Sequence, residues 1–74
     1  MQGLGDPLWS AEVYSPDSQD LLHDLGRWES AAAARAACFQ YAGEALQWTQ
    51  MEDGELWARG PQWWFRVFQA RALN

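Results

Sequence analysis

The amino-acid sequence predicts an α+β fold, a single helix packed on one face of a small antiparallel sheet, in the order β(β)αβββ. Three observations predict it. Leu8 to Tyr14 alternates, with Trp9, Ala11 and Val13 on one side and Leu8, Ser10, Glu12 and Tyr14 on the other, which is the period of a strand. Ser30 precedes twelve residues, Ala31 to Ala42, seven of them alanine, and Gly43 follows; a serine cap, the best helix former and a left-handed stop define a helix. Beyond it, the turn signals Glu52-Asp53-Gly54 and Gly60-Pro61 divide the remaining chain into three alternating segments.

Each element has its own warrant. Ser15-Pro16-Asp17-Ser18 breaks the first strand as a turn. Residues 19–28 read two ways. Ser15 as cap, Pro16, and Leu21, Leu22 and Leu25 at helical spacing suit a short helix, whereas Asp20 to Leu25 also suits a strand returning beside the first. Alanine side chains let the helix axis lie close to a sheet, with Trp and Phe rising from the sheet to fill the volume. A three-residue loop at 52–54 pairs Met51 with Glu55 and Thr49 with Trp57. A two-residue loop at Gly60-Pro61 pairs Ala58 with Trp63, Leu56 with Phe65, Trp57 with Trp64 and Glu55 with Arg66. Both registers place Leu46, Trp48, Leu56, Ala58, Trp63, Phe65 and Val67 on the helix side.

Length and composition bound the function. The chain of 74 residues is expected to be one small domain, 1–74, with residues 1–7 flexible. The single Cys38 excludes an internal disulfide or a cysteine-cluster zinc site and points to a reducing, cytoplasmic setting. No apolar run reaches the ~18 residues of a membrane span, and the N-terminus lacks signal-peptide character. All ten carboxylates lie within residues 6–55, beside only Arg27 and Arg35; residues 56–74 carry Arg59, Arg66 and Arg71 and no acid. The net charge of −5 disfavours a phosphate-backbone partner.

The side of the sheet away from the helix collects Met51, Trp57, Arg59, Trp64, Arg66 and Phe68. Three large rings and two arginines in one patch suit a partner-binding surface. The competing readings are burial of this side by a terminal segment of the same chain, a homodimer with no further partner, and a nucleic-acid platform on which bases stack on the rings. No catalytic, metal or cofactor site is expected. His23 is the only histidine, Cys38 has no histidine or cysteine partner, and no glycine-rich phosphate loop is present.

Trp9-Ser10-Ala11-Glu12-Val13, then Leu25-Gly26-Arg27-Trp28-Glu29-Ser30 and Ala33-Ala34-Arg35-Ala36, together resemble the strand-strand-helix unit of AP2-type DNA-binding domains and the arm-binding domains of phage integrases. The resemblance covers about residues 9–42. It implies a strand at 20–25 and DNA contact through the sheet, with Trp9 and Arg27 as the matched positions able to keep it. The chain departs from that family in having no basic strand ahead of Trp9, in Asp24 where an aromatic is usual, and in its C-terminal hairpins. The combined expectation is a small non-enzymatic interaction or regulatory module, bacterial or phage- or mobile-element-encoded. Its partner would be a protein, met through the aromatic and arginine face, while its acid-rich part suits a basic surface that ordinarily holds nucleic acid.

Overall fold

Capping chemistry sets the helix limits. In the computed structural model, which describes residues 8–69, α1 spans Ala31–Ala42. The Ser30 hydroxyl accepts from the Ala33 N–H at 3.1 Å, satisfying one of the orphan donors of the first turn. Gly43 closes the other end at φ 77°, its N–H donating to the Phe39 carbonyl at 2.8 Å. That left-handed conformation strains any residue with a Cβ. The expectation of flexibility for residues 1–7 lies outside the described residues.

Five strands accompany the helix: β1 (Trp9–Tyr14), β2 (Leu21–Trp28), β3 (Thr49–Gln50), β4 (Leu56–Arg59) and β5 (Trp64–Gln69). They form one sheet in the order β2-β1-β5-β4-β3, and every neighbouring pair is antiparallel. The chain is thus an α+β domain with one helix on an antiparallel sheet. The long-range pair is β1 with β5, which runs unbroken from Trp9↔Gln69 to Tyr14↔Trp64.

Residues 21–28 form a strand, which settles the two readings of that segment. The leucine spacing arises from two bulges. Against β1, Ala11 pairs with Gly26 and Glu12 with Asp24, leaving Leu25 over; Val13 pairs with His23 and Tyr14 with Leu21, leaving Leu22 over. Each extra residue inverts the alternation, so apolar residues three and four apart appear in a strand. A six-residue turn precedes it, with the Gln19 N–H donating to the Ser15 carbonyl at 2.7 Å and the Ser15 N–H to the Asp20 carbonyl at 2.9 Å.

The first C-terminal hairpin has the expected register. Thr49 pairs with Trp57, the Met51 N–H donates to the Glu55 carbonyl at 2.7 Å, and Gly54 takes φ 92°. The second differs by two residues. Ala58 pairs with Phe65, Leu56 with Val67, Trp57 with Arg66 and Arg59 with Trp64, so the loop is the four-residue segment 60–63, closed by Gly60 N–H to the Trp63 carbonyl at 2.9 Å. The expected Trp57–Trp64 pair therefore does not form. Two contacts accompany the wider loop: Arg59 lies over Trp64, and Trp63, on the helix side as expected, has its ring 4.9 Å from that of Tyr41. A shift of two preserves the faces, because side-chain direction repeats every second residue.

α1 packs closest on β1, β2 and β5. The fully enclosed residues are Ala34 and Cys38 from the helix and Ala11, Val13, Ala58, Phe65 and Val67 from the sheet. Small side chains on both sides hold the two layers close. Phe65 is the only ring among them; Trp9, Trp48 and Trp63 stand at the margin, half-buried against this core. The expectation that tryptophans fill the space between the layers is corrected accordingly: indoles flank it. Leu46 and Trp48 pack against the core from the segment between α1 and β3.

Ala34→Leu should therefore cost about 1–3 kcal/mol through overpacking, whereas Ala36→Leu, at an exposed position, should change stability by less than about 0.5 kcal/mol. Urea denaturation of both variants checks this; equal effects would disprove close apposition at Ala34. By the same measurement, Ser30→Ala should lose about 1 kcal/mol with its cap.

Candidate functional site

The face of the sheet opposite α1 is built from alternate residues of the three central strands. Ser10, Glu12 and Tyr14 from β1 lie opposite Phe68, Arg66 and Trp64 of β5, and Arg66 and Trp64 in turn oppose Trp57 and Arg59 of β4. All the sequence-predicted residues but Met51 thus occupy neighbouring ladder positions on one surface. Met51 lies just beyond β3, exposed at the start of the 52–54 turn. Trp57, Trp64 and Phe68 are half-buried by packing on each other's neighbours, while Arg59 is exposed.

Arg66 sits at the centre and makes contacts through Nε, Nη1 and Nη2. Its Nε donates to Glu55 Oε1 at 3.1 Å, and its Nη2 donates to Glu55 Oε2, a two-point grip. Its Nη1 reaches Glu12 Oε1 and the Tyr14 hydroxyl, each at 3.4 Å, and Tyr14 donates its own proton to Glu12. The guanidinium lies 3.8 Å from the Phe68 ring centre and 6.0 Å from that of Trp57. The Trp57 indole N–H donates to Glu55 Oε1 at 3.2 Å. One cation thus ties β1, β5 and the start of β4 together.

The electrostatic consequences follow from that geometry. The Arg66 guanidinium, aided by the Trp57 N–H, holds the Glu55 carboxyl below its usual value of 4.5. Burial, then the Glu12 carboxylate, pushes the Tyr14 phenol up. The contact with Glu55 raises Arg66 further above its already high value. Glu12 and Tyr14 were not singled out from sequence as parts of this surface, whereas Glu55 was expected opposite Arg66 and meets it, although the strand register differs by two. The alternation had placed Glu12 and Tyr14 on one side of their strand, and only the pairing of β1 with β5 carries that side to Arg66.

Arg59 contrasts with Arg66. Its guanidinium lies over the Trp64 ring at 5.0 Å, and among the described residues it makes no ion pair. Beside it a shallow groove of about 240 Å³ is lined by Gln47, Thr49, Met51, Trp57 and Arg59. Other residues with chemical potential are placed away from this surface. Cys38 is buried under α1, and burial pushes its thiol up to about 12. His23 is exposed on the edge strand β2, its ring 5.5 Å from Tyr41 on the helix side. Trp9 packs against the core on the helix side, while Arg27 is exposed and opposite Ser10.

No helix among the described residues is long and apolar enough to cross a membrane, and among the same residues no group of three or more His, Cys, Asp or Glu is placed to hold a metal ion. No protein-family model, curated protein or solved structure matches the chain.

A carboxyl whose folded-state value is lowered stabilises the fold above its unfolded value and loses that contribution as pH falls through the folded value. Glu55 should therefore contribute fully above pH 4.5 and progressively less below it. Denaturant titrations at pH 6 and at successively lower pH should show a shallower acid loss in Glu55→Gln than in the wild type. Parallel curves would remove Glu55 from the account.

Proposed function

We propose that this chain is a non-enzymatic interaction module that meets a protein partner through the sheet face opposite α1. The observation that carries the reading is the arrangement of Tyr14, Trp57, Trp64 and Phe68 around the Arg66–Glu55–Glu12 cluster on a face that the helix does not cover. Rings held by fixed neighbours lose little freedom on binding, so the contact area they offer comes at low entropic cost. The internal ion cluster spreads no net attraction for phosphate, because Arg66 is matched by two carboxylates. That favours a protein over a nucleic acid on this surface, and it weighs against the DNA contact that the resemblance to AP2-type domains implies.

Charge gives the partner a character. Asp17 and Asp20 lie in the turn before β2, Asp24 within it and Glu29 just after it, and Glu52 and Asp53 at the opposite hairpin tip. Acid rims around a ring-rich centre suit a basic partner surface, steering it in while the rings supply the buried area. Regulation of a nucleic-acid-handling machine by occupying its basic surface is the function in this reading.

Trp64→Ala tests it. Affinity capture from the source organism with wild type and Trp64→Ala, quantified side by side, should lose at least one abundant partner in the variant while its circular dichroism stays unchanged. Equal recovery of every protein by both would overturn the assignment of this face. Light scattering and titration with single- and double-stranded oligonucleotides at low salt report the two other outcomes, a homodimer and a nucleic-acid complex.

A further inference from the structure

We infer that the groove lined by Gln47, Thr49, Met51, Trp57 and Arg59 is an anchor pocket for a single carboxylate side chain of the partner, with Arg59 as its ligand. The inference rests on the reading of this face as a protein-binding surface and deepens it by naming the chemistry of one contact. The two arginines of the face divide the work. Arg66 spends its donors on Glu55, Glu12 and Tyr14. Arg59 spends none on a carboxylate among the described residues, yet it is not loose, because its guanidinium lies over Trp64 at 5.0 Å. A guanidinium held beside a ring and free of internal carboxylates keeps N–H donors that can take a carboxylate at two points.

The rest of the groove agrees with a monoanion on a short apolar stem. The Trp57 indole N–H is already given to Glu55, so the ring offers the groove an apolar wall, and Met51 adds a deformable one. The Thr49 hydroxyl and the Gln47 amide supply neutral donors beside the cation. A phosphate is a poor fit, because it carries nearly two charges and the groove has one cation, in a chain of net charge −5. The carboxylates Glu55, Glu52 and Asp53 lie at the other end of the hairpin. Glu55 stands four positions before Arg59, roughly 13 Å along the backbone, and its carboxylate is already taken by Arg66. A carboxylate at Arg59 is therefore attracted locally even though the molecule as a whole is acidic. On a basic partner, such a carboxylate sets orientation: it pairs with Arg59 while the surrounding lysines and arginines face the acid rims.

The probes are the peptide N-acetyl-Leu-Glu-Leu-amide, its Gln counterpart and inorganic phosphate, titrated into the ¹⁵N-labelled full chain. Saturable shifts are expected at the Thr49 amide, the Trp57 indole N–H and the Arg59 Nε–H with the Glu peptide. Binding of the Gln peptide should be at least about tenfold weaker, and Arg59→Gln, an exposed substitution, should erase that preference while leaving the remaining spectrum in place. Equal binding of the two peptides, shifts located elsewhere, no shift with either peptide, or phosphate competing as well as the Glu peptide would each overturn the inference. Its failure is separable from that of the face itself: a partner captured by both wild type and Arg59→Gln but lost with Trp64→Ala keeps the face and removes the pocket.

Discussion

Everything described depends on the pairing of β1 with β5, two strands from opposite ends of the chain. Six consecutive residue pairs join them, closing a loop of some fifty residues. Such closure is costly in chain entropy, and contacts on both sides of the ladder repay it. On the helix side it sets Ala11 beside Val67 and Val13 beside Phe65, four of the seven fully enclosed core residues. On the other side it sets Glu12 beside Arg66 and Tyr14 beside Trp64. With β1 detached, α1 would lose much of the surface it packs on, and Arg66 would keep only one of its two carboxylates.

The two faces of this ladder obey different rules. Toward α1, the requirement is thinness: Ala34 and Cys38 meet Ala11, Val13 and Val67, Phe65 is the one enclosed ring, and further bulk stands at the margin, where Tyr41 and Trp63 pack edge to face on each other and on Phe65 at 4.9–6.4 Å. Away from α1, bulk is admitted, and a charged group can be partly covered because its partners come with it. Arg66 and its two carboxylates are each about a fifth to a quarter exposed, a setting in which a pair with good hydrogen bonds holds geometry more than it adds stability. The ion cluster acts as a template that fixes where the rings of Trp57 and Phe68 stand.

Local signals in the sequence were enough for the elements whose chemistry is local. Ser30 and Gly43 set the helix limits to the residue, and Gly54 set the register of the first C-terminal hairpin, since a cap and a positive φ are properties of a few adjacent residues. The face to which each of Trp57, Arg59, Trp64, Arg66 and Phe68 belongs was also legible, because period two survives an error of two in register. What could not be read was long-range. The loop at 60–63 is two residues longer than expected, with Arg59 over Trp64 and Trp63 beside Tyr41, and neither contact has a short-range signature. The bulges at Leu22 and Leu25 gave β2 a helical leucine spacing; only a resemblance, and not periodicity, favoured a strand there. Glu12 and Tyr14 stayed outside the expected surface because nothing between residues 15 and 63 says which strand β1 joins.

The contrast between Arg59 and Arg66 shows how one residue type does two jobs on one sheet. A guanidinium in the interior of the face must bring its counter-charges from within the chain, since leaving it unpaired and half-covered costs far more than an exposed pair returns. That requirement accounts for Glu12 and Glu55 flanking Arg66 on separate strands. At the end of β4, Arg59 is exposed, water can satisfy it, and no internal carboxylate is needed; stacking on Trp64 is sufficient to orient it. The interior arginine consequently has its charge matched within the chain, and the peripheral one makes no ion pair among the described residues. Position in the sheet, rather than residue identity, decides which of the two can be offered to another molecule.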